Sequence, residues 1–232
     1  MSKYVEIGYP IYDGMGVYPG LPIPSVKLRE DLEKGDPWNG SVLEIYLHAG
    51  THCDAPWHYM GGDAPKMDNV EAIPTEKFVY HHPLLIDCPF TEKNGLITID
   101  MIKKYGDEIY KADFLIFNTH SYPKRSVDFK DYGSDFAAVG AEAAEWIRAE
   151  LPNVKAVAID TLSIENIGIG KTNGFRTHKA FLDPARENDT ILIYEDINPA
   201  PIVGKKILRA FTAPLRIHGD GCICNVICEI ED

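Results

Sequence analysis

Residues 48 to 58 read HAGTHCDAPWH, with three histidines and one aspartate in eleven positions, interrupted by glycine and proline. Imidazole nitrogens and carboxylate oxygens are donors that a divalent metal ion accepts, so the chemistry open to this stretch is metal binding. The preceding run, SVLEIYL, alternates Leu43, Ile45 and Leu47 with Glu44 and Tyr46. That is the period of a half-buried strand, and it puts His48 on the polar face at the strand's end. Gly50 permits a sharp turn, after which His52 and Asp54, two apart in an extended segment, point to one side and back toward His48. Two imidazoles and a carboxylate converging on one point leave an ion with an open position for water, as catalytic zinc requires. Pro56 directs the exit of the loop and sets His58 beside the cluster as an unliganded base. A lone histidine is commonly a surface or hydrogen-bonded core residue. Four such groups at this spacing, in a polar loop after an apolar strand, make a site the better reading.

A second constellation lies downstream in THKAFLDPARENDTILIYEDIN. His178 falls on a short helix-like run and Glu195 ends a strand-like run, seventeen positions later. Glu187 competes as a carboxylate, but its neighbours Arg186, Asn188 and Asp189 mark a solvated turn. Glu195 follows ILIY, where a strand delivers a polar group to its C-terminal edge.

The elements that must hold these groups alternate irregularly. Strand-like runs occur at YVEIGY, SVLEIYLH, PLLIDC, DFLIFNT, VKAVAID, TILIYED, ILRAFTAPLRI and CICNVICEI. Helical signals occur at TIDMIKKYG, with Thr98 as N-cap and Gly106 as stop, at AEAAEWIRAEL ahead of Pro152, and at RTHKAFL. This mixture predicts an α/β fold with a mixed sheet and flanking helices rather than strict βαβ alternation. The glycines of IENIGIGKTNG complete neither a P-loop nor a dinucleotide fingerprint, so the segment reads as a flexible loop.

The chain has 232 residues, 45% hydrophobic and 25% charged, which predicts one domain over residues 1–232. A net charge of −12 with scattered Lys and Arg argues against nucleic acid or an anionic membrane as partner. The opening MSKYVEIGYP lacks a signal-peptide core, so a cytoplasmic location is expected. The five cysteines, Cys53, Cys88, Cys222, Cys224 and Cys228, lack paired zinc-ribbon spacing. Cys222, Cys224 and Cys228 share a face if their segment is a strand and read as buried small hydrophobes, while alternation turns Cys53 away from His52 and Asp54.

HAGTHCDAPWH resembles the HxGTHxDxPxH signature of the cyclase family of metal-dependent hydrolases, to which kynurenine formamidases and isatin hydrolases belong, and matches every fixed position. VYPG at 17 to 20, AIDTLSI at 158 to 164 and TAPLRIHGDG at 212 to 221 resemble further segments of that family in the same order. The resemblance implies that His48, His52 and Asp54 are ligands of a first metal and that His58 is the proton donor and acceptor. With two zinc ions, Asp54 would bridge them, His178 would bind the second, and Glu195 would bridge or contact both. It implies a single-domain, mixed β-barrel-like sheet with outer helices, of the swivelling β/β/α type, assembled as homodimers or higher homo-oligomers. Departures fall on substrate walls. Tyr18 replaces a substrate-lining Trp, Leu21 an acidic residue and Asn225 an Arg, and the segment from His178 to Glu195 is longer than usual. The expected activity is hydrolysis of a small amide by a hydroxide on zinc or manganese, with His58 protonating the leaving nitrogen. An N-formyl arylamine such as N-formylkynurenine leads as substrate. A cyclic amide of the isatin type is the alternative, and metal binding without catalysis the third possibility, against which His58 argues.

Overall fold

In a computed structural model the described residues are 2–59, 69–134 and 136–231. Among these residues the strands are, in order, β1 (Ser2–Glu6), β2 (Ser25–Glu30), β3 (Gly40–Glu44), β4 (His52–Asp54), β5 (Val79–Tyr80), β6 (Pro83–Asp87), β7 (Leu96–Ile97), β8 (Phe114–Asn118), β9 (Ala138–Val139), β10 (Ala156–Ile159), β11 (Leu192–Glu195), β12 (Ile207–Pro214) and β13 (Gly221–Glu231). The α-helices are α1 (Ile99–Lys103), α2 (Glu108–Lys111), α3 (Lys124–Val127), α4 (Phe129–Tyr132), α5 (Ala141–Glu150), α6 (Ile167–Asn173) and α7 (Arg176–Leu182).

Eight strands form one mixed sheet in the order β5-β12-β13-β4-β11-β10-β8-β6, and β1 adds to β13. Neighbours from β11 to β6 run parallel, whereas those from β5 through to the β4–β11 pair run antiparallel. The end strands β5 and β6 are separated in the chain only by His81 and His82, so the sheet curls until its ends approach. The result is the nearly closed, barrel-like mixed sheet expected of the α/β class.

Strand alternation divides the apolar residues between two cores. Phe114, Ile116, Ala156, Ala158, Leu192 and Tyr194 face the inside of the curl with Ala210 and Val226. Leu115, Phe117, Val157, Ile159 and Ile193 face the helices and meet Ala144 and Ile147 of α5 and Phe181 of α7. Strands β8, β10 and β11 are apolar up to their C-terminal ends because both faces are covered. Helix α7 packs against α5 on one side and the turn at Pro56–Tyr59 on the other, which carries His178 to the loop of residues 48–58. Among the described residues no helix is long and apolar enough to cross a membrane.

Two expectations need correction. The SVLEIYL run does not continue as a half-buried strand to His48. Its strand ends at Glu44 in a two-stranded ribbon with β2, where Val42 and Leu43 are exposed, and His48 follows in a turn. Alternation alone does not specify whether a strand joins the main sheet or a solvated ribbon. IENIGIGKTNG contains a helix, not only a loop: Asn166 accepts from the backbone of Gly168 and Ile169, and Gly174, at φ 76°, ends it with its N–H on the Gly170 carbonyl. Thr98 occupies the N-cap position of α1 but makes no capping side-chain bond.

Candidate metal centre

The central position of β4 places the donors. At Gly50 φ is 69°, a left-handed turn that lets the chain reverse after His48 and enter the sheet. On β4, His52 and Asp54 point to one face and Cys53 to the other, where it is buried with Tyr194 and Cys222. The β4–β11 register pairs His52 with Glu195 and Asp54 with Ile193, so the last residue of β11 reaches the same face. Helix α7 lays His178 over them. His52, Asp54, His178 and Glu195 are each at most 4% exposed, and burying two carboxylates and two imidazoles is costly unless they are mutually satisfied.

Two of the imidazoles are oriented from behind. His52 Nδ1 donates to the Gly50 carbonyl at 2.8 Å, leaving Nε2 3.3 Å from Asp54 Oδ1 and 3.4 Å from Glu195 Oε2. His178 Nδ1 donates to Glu165 Oε2 at 2.8 Å, leaving Nε2 3.6 Å from Glu195 Oε1 and 4.0 Å from Asp54 Oδ2. Glu195 Oε1 accepts from Ser163 Oγ at 3.1 Å and from the Ile164 backbone at 2.6 Å. Among the described residues, His52 Nε2 and Asp54 Oδ2 are the buried side-chain atoms left without a hydrogen-bond partner. Stranding such an atom costs roughly 1–3 kcal/mol. Ligand bonds of about 2.0–2.2 Å in a tetrahedron put neighbouring donors roughly 3.3–3.6 Å apart, near the spacings of this cluster. The donors therefore fit a divalent ion, and a nitrogen and oxygen set without thiolate suits zinc or manganese.

His48 is held differently. Its Nδ1 lies 2.7 Å from Asp54 Oδ1 and its Nε2 3.0 Å from Asp220 Oδ2. Carboxylates only accept, so both ring nitrogens carry a proton in this arrangement. Burial alone would lower the His48 pKa, but the Asp54 charge and the bonds to Asp220 and Asp54 outweigh it and hold it up at about 9. His178 is also buried, and the Glu165 and Glu195 carboxylates raise it to about 9. Burial and the Asp54 charge push Glu195 up, but His178 and His52 prevail and bring it down to about 2.

His58, on the Pro56–Tyr59 turn, stacks on His48 with ring centroids 4.1 Å apart and donates from Nδ1 to Asp220 Oδ2 at 3.0 Å. The donors form two groups that share Asp54, namely His48 with Asp54 and His58, and His52 with Asp54 and Glu195. All six polar residues singled out from sequence thus meet at one place. His58 stands with His48, and His178 with His52 and Glu195. Glu187 is exposed in its turn.

Above them opens a cavity of about 340 Å³ lined by His48, His58, His178 and Glu195, with Tyr18, Tyr46, Tyr59, Leu21 and Leu162 among its walls. Tyr18 meets Phe136 edge-on at 6.3 Å, and Tyr59 stacks on His178 at 4.3 Å. Sequence reasoning missed Asp220, Glu165 and Tyr59. Asp220 sits in HGDG and Glu165 in LSIEN, inside or next to segments that carry the resemblance; Tyr59 directly follows the signature.

Residues 5–166 match the family described as Putative cyclase. The kynurenine formamidase of Sphingopyxis alaskensis is 37% identical over 167 residues, 71% of this chain and 72% of that one. The kynurenine formamidase of Erythrobacter litoralis is 25% identical over 96% of this chain and 91% of its own. The match to cyclase-like protein 1 of Arabidopsis thaliana, at 27% identity, spans 54% of that protein. Isatin hydrolase A from Labrenzia aggregata has the same fold, with a TM-score of 0.82 at 18% identity over 100% of this chain and 94% of that one. With the signature loop built into a buried donor cluster and the family match covering more than half its length, the chain belongs to the Putative cyclase family.

Proposed function

We propose that the protein is a metal-dependent amidohydrolase that cleaves the formyl C–N bond of a small N-formyl arylamine such as N-formylkynurenine. The observation that carries this reading is the pair of buried, partnerless atoms His52 Nε2 and Asp54 Oδ2, close to His178 Nε2 and the Glu195 carboxylate beneath an aromatic-walled cavity. Relationship to two kynurenine formamidases supports the reaction class, hydrolysis of carbon–nitrogen bonds other than peptide bonds.

His48, His52, Asp54, His178 and Glu195 would hold the ion. A divalent ion bound there supplies Lewis acidity and lowers the pKa of water from about 15.7 to about 7. His52 and His178 present Nε2 because Gly50 and Glu165 fix their opposite nitrogens, and Ser163 with the Ile164 N–H fixes Glu195. His58 keeps its Nδ1 proton on Asp220, so Nε2 is the nitrogen that exchanges a proton with substrate. In the reaction a C–O bond to water forms and the C–N bond breaks. One water proton passes through His58 Nε2 to the leaving nitrogen, which would otherwise depart as a poor anion. Tyr18, Tyr46 and Tyr59 give the cavity an aromatic lining for an aryl group, and the cavity lies at the small end of the usual range of about 300–1,000 Å³.

Metal-reconstituted protein assayed with N-formylkynurenine, formanilides, isatin and cyclic imides tests the proposal. The highest kcat/KM is expected for a formyl arylamine. Faster opening of isatin would move the substrate to the cyclic amides. No turnover of any of them at full metal occupancy would leave a metal-binding protein without this catalysis.

A further inference from the structure

We propose that Asp220 is the positioning residue of His58, fixing the tautomer that leaves Nε2 for the substrate and holding the ring stacked on His48. The inference rests on the reading in which His58 moves the proton, and it assigns the residue that makes His58 competent to do so.

One oxygen of Asp220, Oδ2, accepts from both rings, His58 Nδ1 at 3.0 Å and His48 Nε2 at 3.0 Å. A carboxylate oxygen can only accept, so the His58 proton must sit on Nδ1. The same oxygen sets the two rings at 4.1 Å and 30° to each other. With its side chain 39% exposed, Asp220 is not a packing residue whose removal would open a core.

The backbone around Asp220 is fixed for this task. Its carbonyl accepts from the Ala55 N–H at 2.9 Å, tying the turn to the loop that carries His58, and the Gly219 carbonyl accepts from Val70 at 3.0 Å. A Cβ on Gly221 would lie 2.5 Å from His48 Cε1 and 3.0 Å from the Cys53 carbonyl, and one on Gly219 would lie 2.8 Å from Leu47 Cδ1. The two glycines let the carboxylate approach both rings from a chain packed directly against them. The GDG stretch therefore carries an orienting carboxylate between two close-approach positions.

Zinc-loaded protein provides the test, with Asp220→Asn and Asp220→Glu. An amide can turn its NH₂ toward His58 Nδ1 and stabilise the wrong tautomer. Nitrogen–proton correlation spectra of the ring should show His58 as Nδ1–H in the parent and lose that form in Asp220→Asn. On a formanilide, Asp220→Asn should lose about 10²- to 10³-fold in kcat, within the usual worth of a positioned proton-transfer group, with KM and zinc stoichiometry unchanged. Asp220→Glu, which keeps an acceptor, should recover at least about tenfold of that loss and restore the Nδ1–H signal. An unchanged His58 spectrum in Asp220→Asn would overturn the assignment, as would zinc lost in proportion to activity. If the parent hydrolyses no formanilide, the hydrolase reading fails by itself, and the ring spectrum still decides the role of Asp220.

Discussion

His52 and His178 differ from His48 in what stands behind them. The first two have Nδ1 occupied by a fixed acceptor and turn Nε2 toward Asp54 and Glu195, whereas His48 has a hydrogen-bonded carboxylate on each side. Replacing His52 by alanine should therefore remove most bound zinc or manganese, read by elemental analysis, and metal content equal to the parent would refute its ligand role. His58→Ala should keep metal and fold and lose about 10²- to 10⁴-fold in kcat on amides, with a smaller loss on an activated aryl ester whose leaving group needs no proton. Equal losses on ester and amide would exclude leaving-group protonation. The residues His48 to His58 were legible in the sequence because they lie within eleven positions, where the turn at Gly50 and the alternation of His52 and Asp54 dictate direction. Asp220 and Glu165 were not, because each acts only through a histidine more than ten positions away. An isolated carboxylate in a sequence does not reveal which ring it faces.

At the scale of elements, β4 and α7 do the positioning, and the turn after α7 has a physical role. Arg148 of α5, only 3% exposed, donates to the carbonyls of Ala180, Phe181, Asp183, Glu187 and Asn188. The guanidinium thus satisfies the end of the helix that carries His178, and DPARENDT wraps around it. Arg148→Met should destabilise the protein by about 2–4 kcal/mol in urea unfolding, because five carbonyls, those of Ala180 and Phe181 buried, lose the guanidinium together. Hydrogen exchange should rise across residues 180–188, and unchanged exchange there would contradict the clamp. The helices around Glu142 and Lys179 were readable from helix-forming runs, and the parallel strands from their apolar character. Helix α6 was not, since two glycines and two β-branched isoleucines in IGIGKTN argue against a helix that the Asn166 cap and the Gly174 terminator nevertheless define. SVLEIYL misled because its period is that of a half-buried strand, while its actual strand lies in a ribbon with exposed apolar side chains.

Across the whole molecule, a metal held by the buried donor cluster would couple stability to metal concentration and to pH. Zinc supplied at about a hundredfold over its Kd should add roughly 2.7 kcal/mol to the unfolding free energy if it binds the folded chain alone. In chelated protein, His48 and His178 stand at about 9 against an unperturbed 6.5. Their contribution is complete below about 6.5 and is lost as pH rises through about 9, so chelated protein should weaken over that interval. Zinc-loaded protein, with its ligand nitrogens unprotonated throughout, should weaken less, and parallel stability curves with and without zinc would contradict the coupling. The location of the ion decides the rest. Crystals of zinc-loaded protein, measured at the zinc absorption edge, should show an anomalous peak about 2.0–2.2 Å from His52 Nε2 and Asp54 Oδ2. A fully occupied peak more than about 5 Å from both atoms, far beyond any zinc–ligand bond, would contradict the metal centre and the hydrolysis built on it.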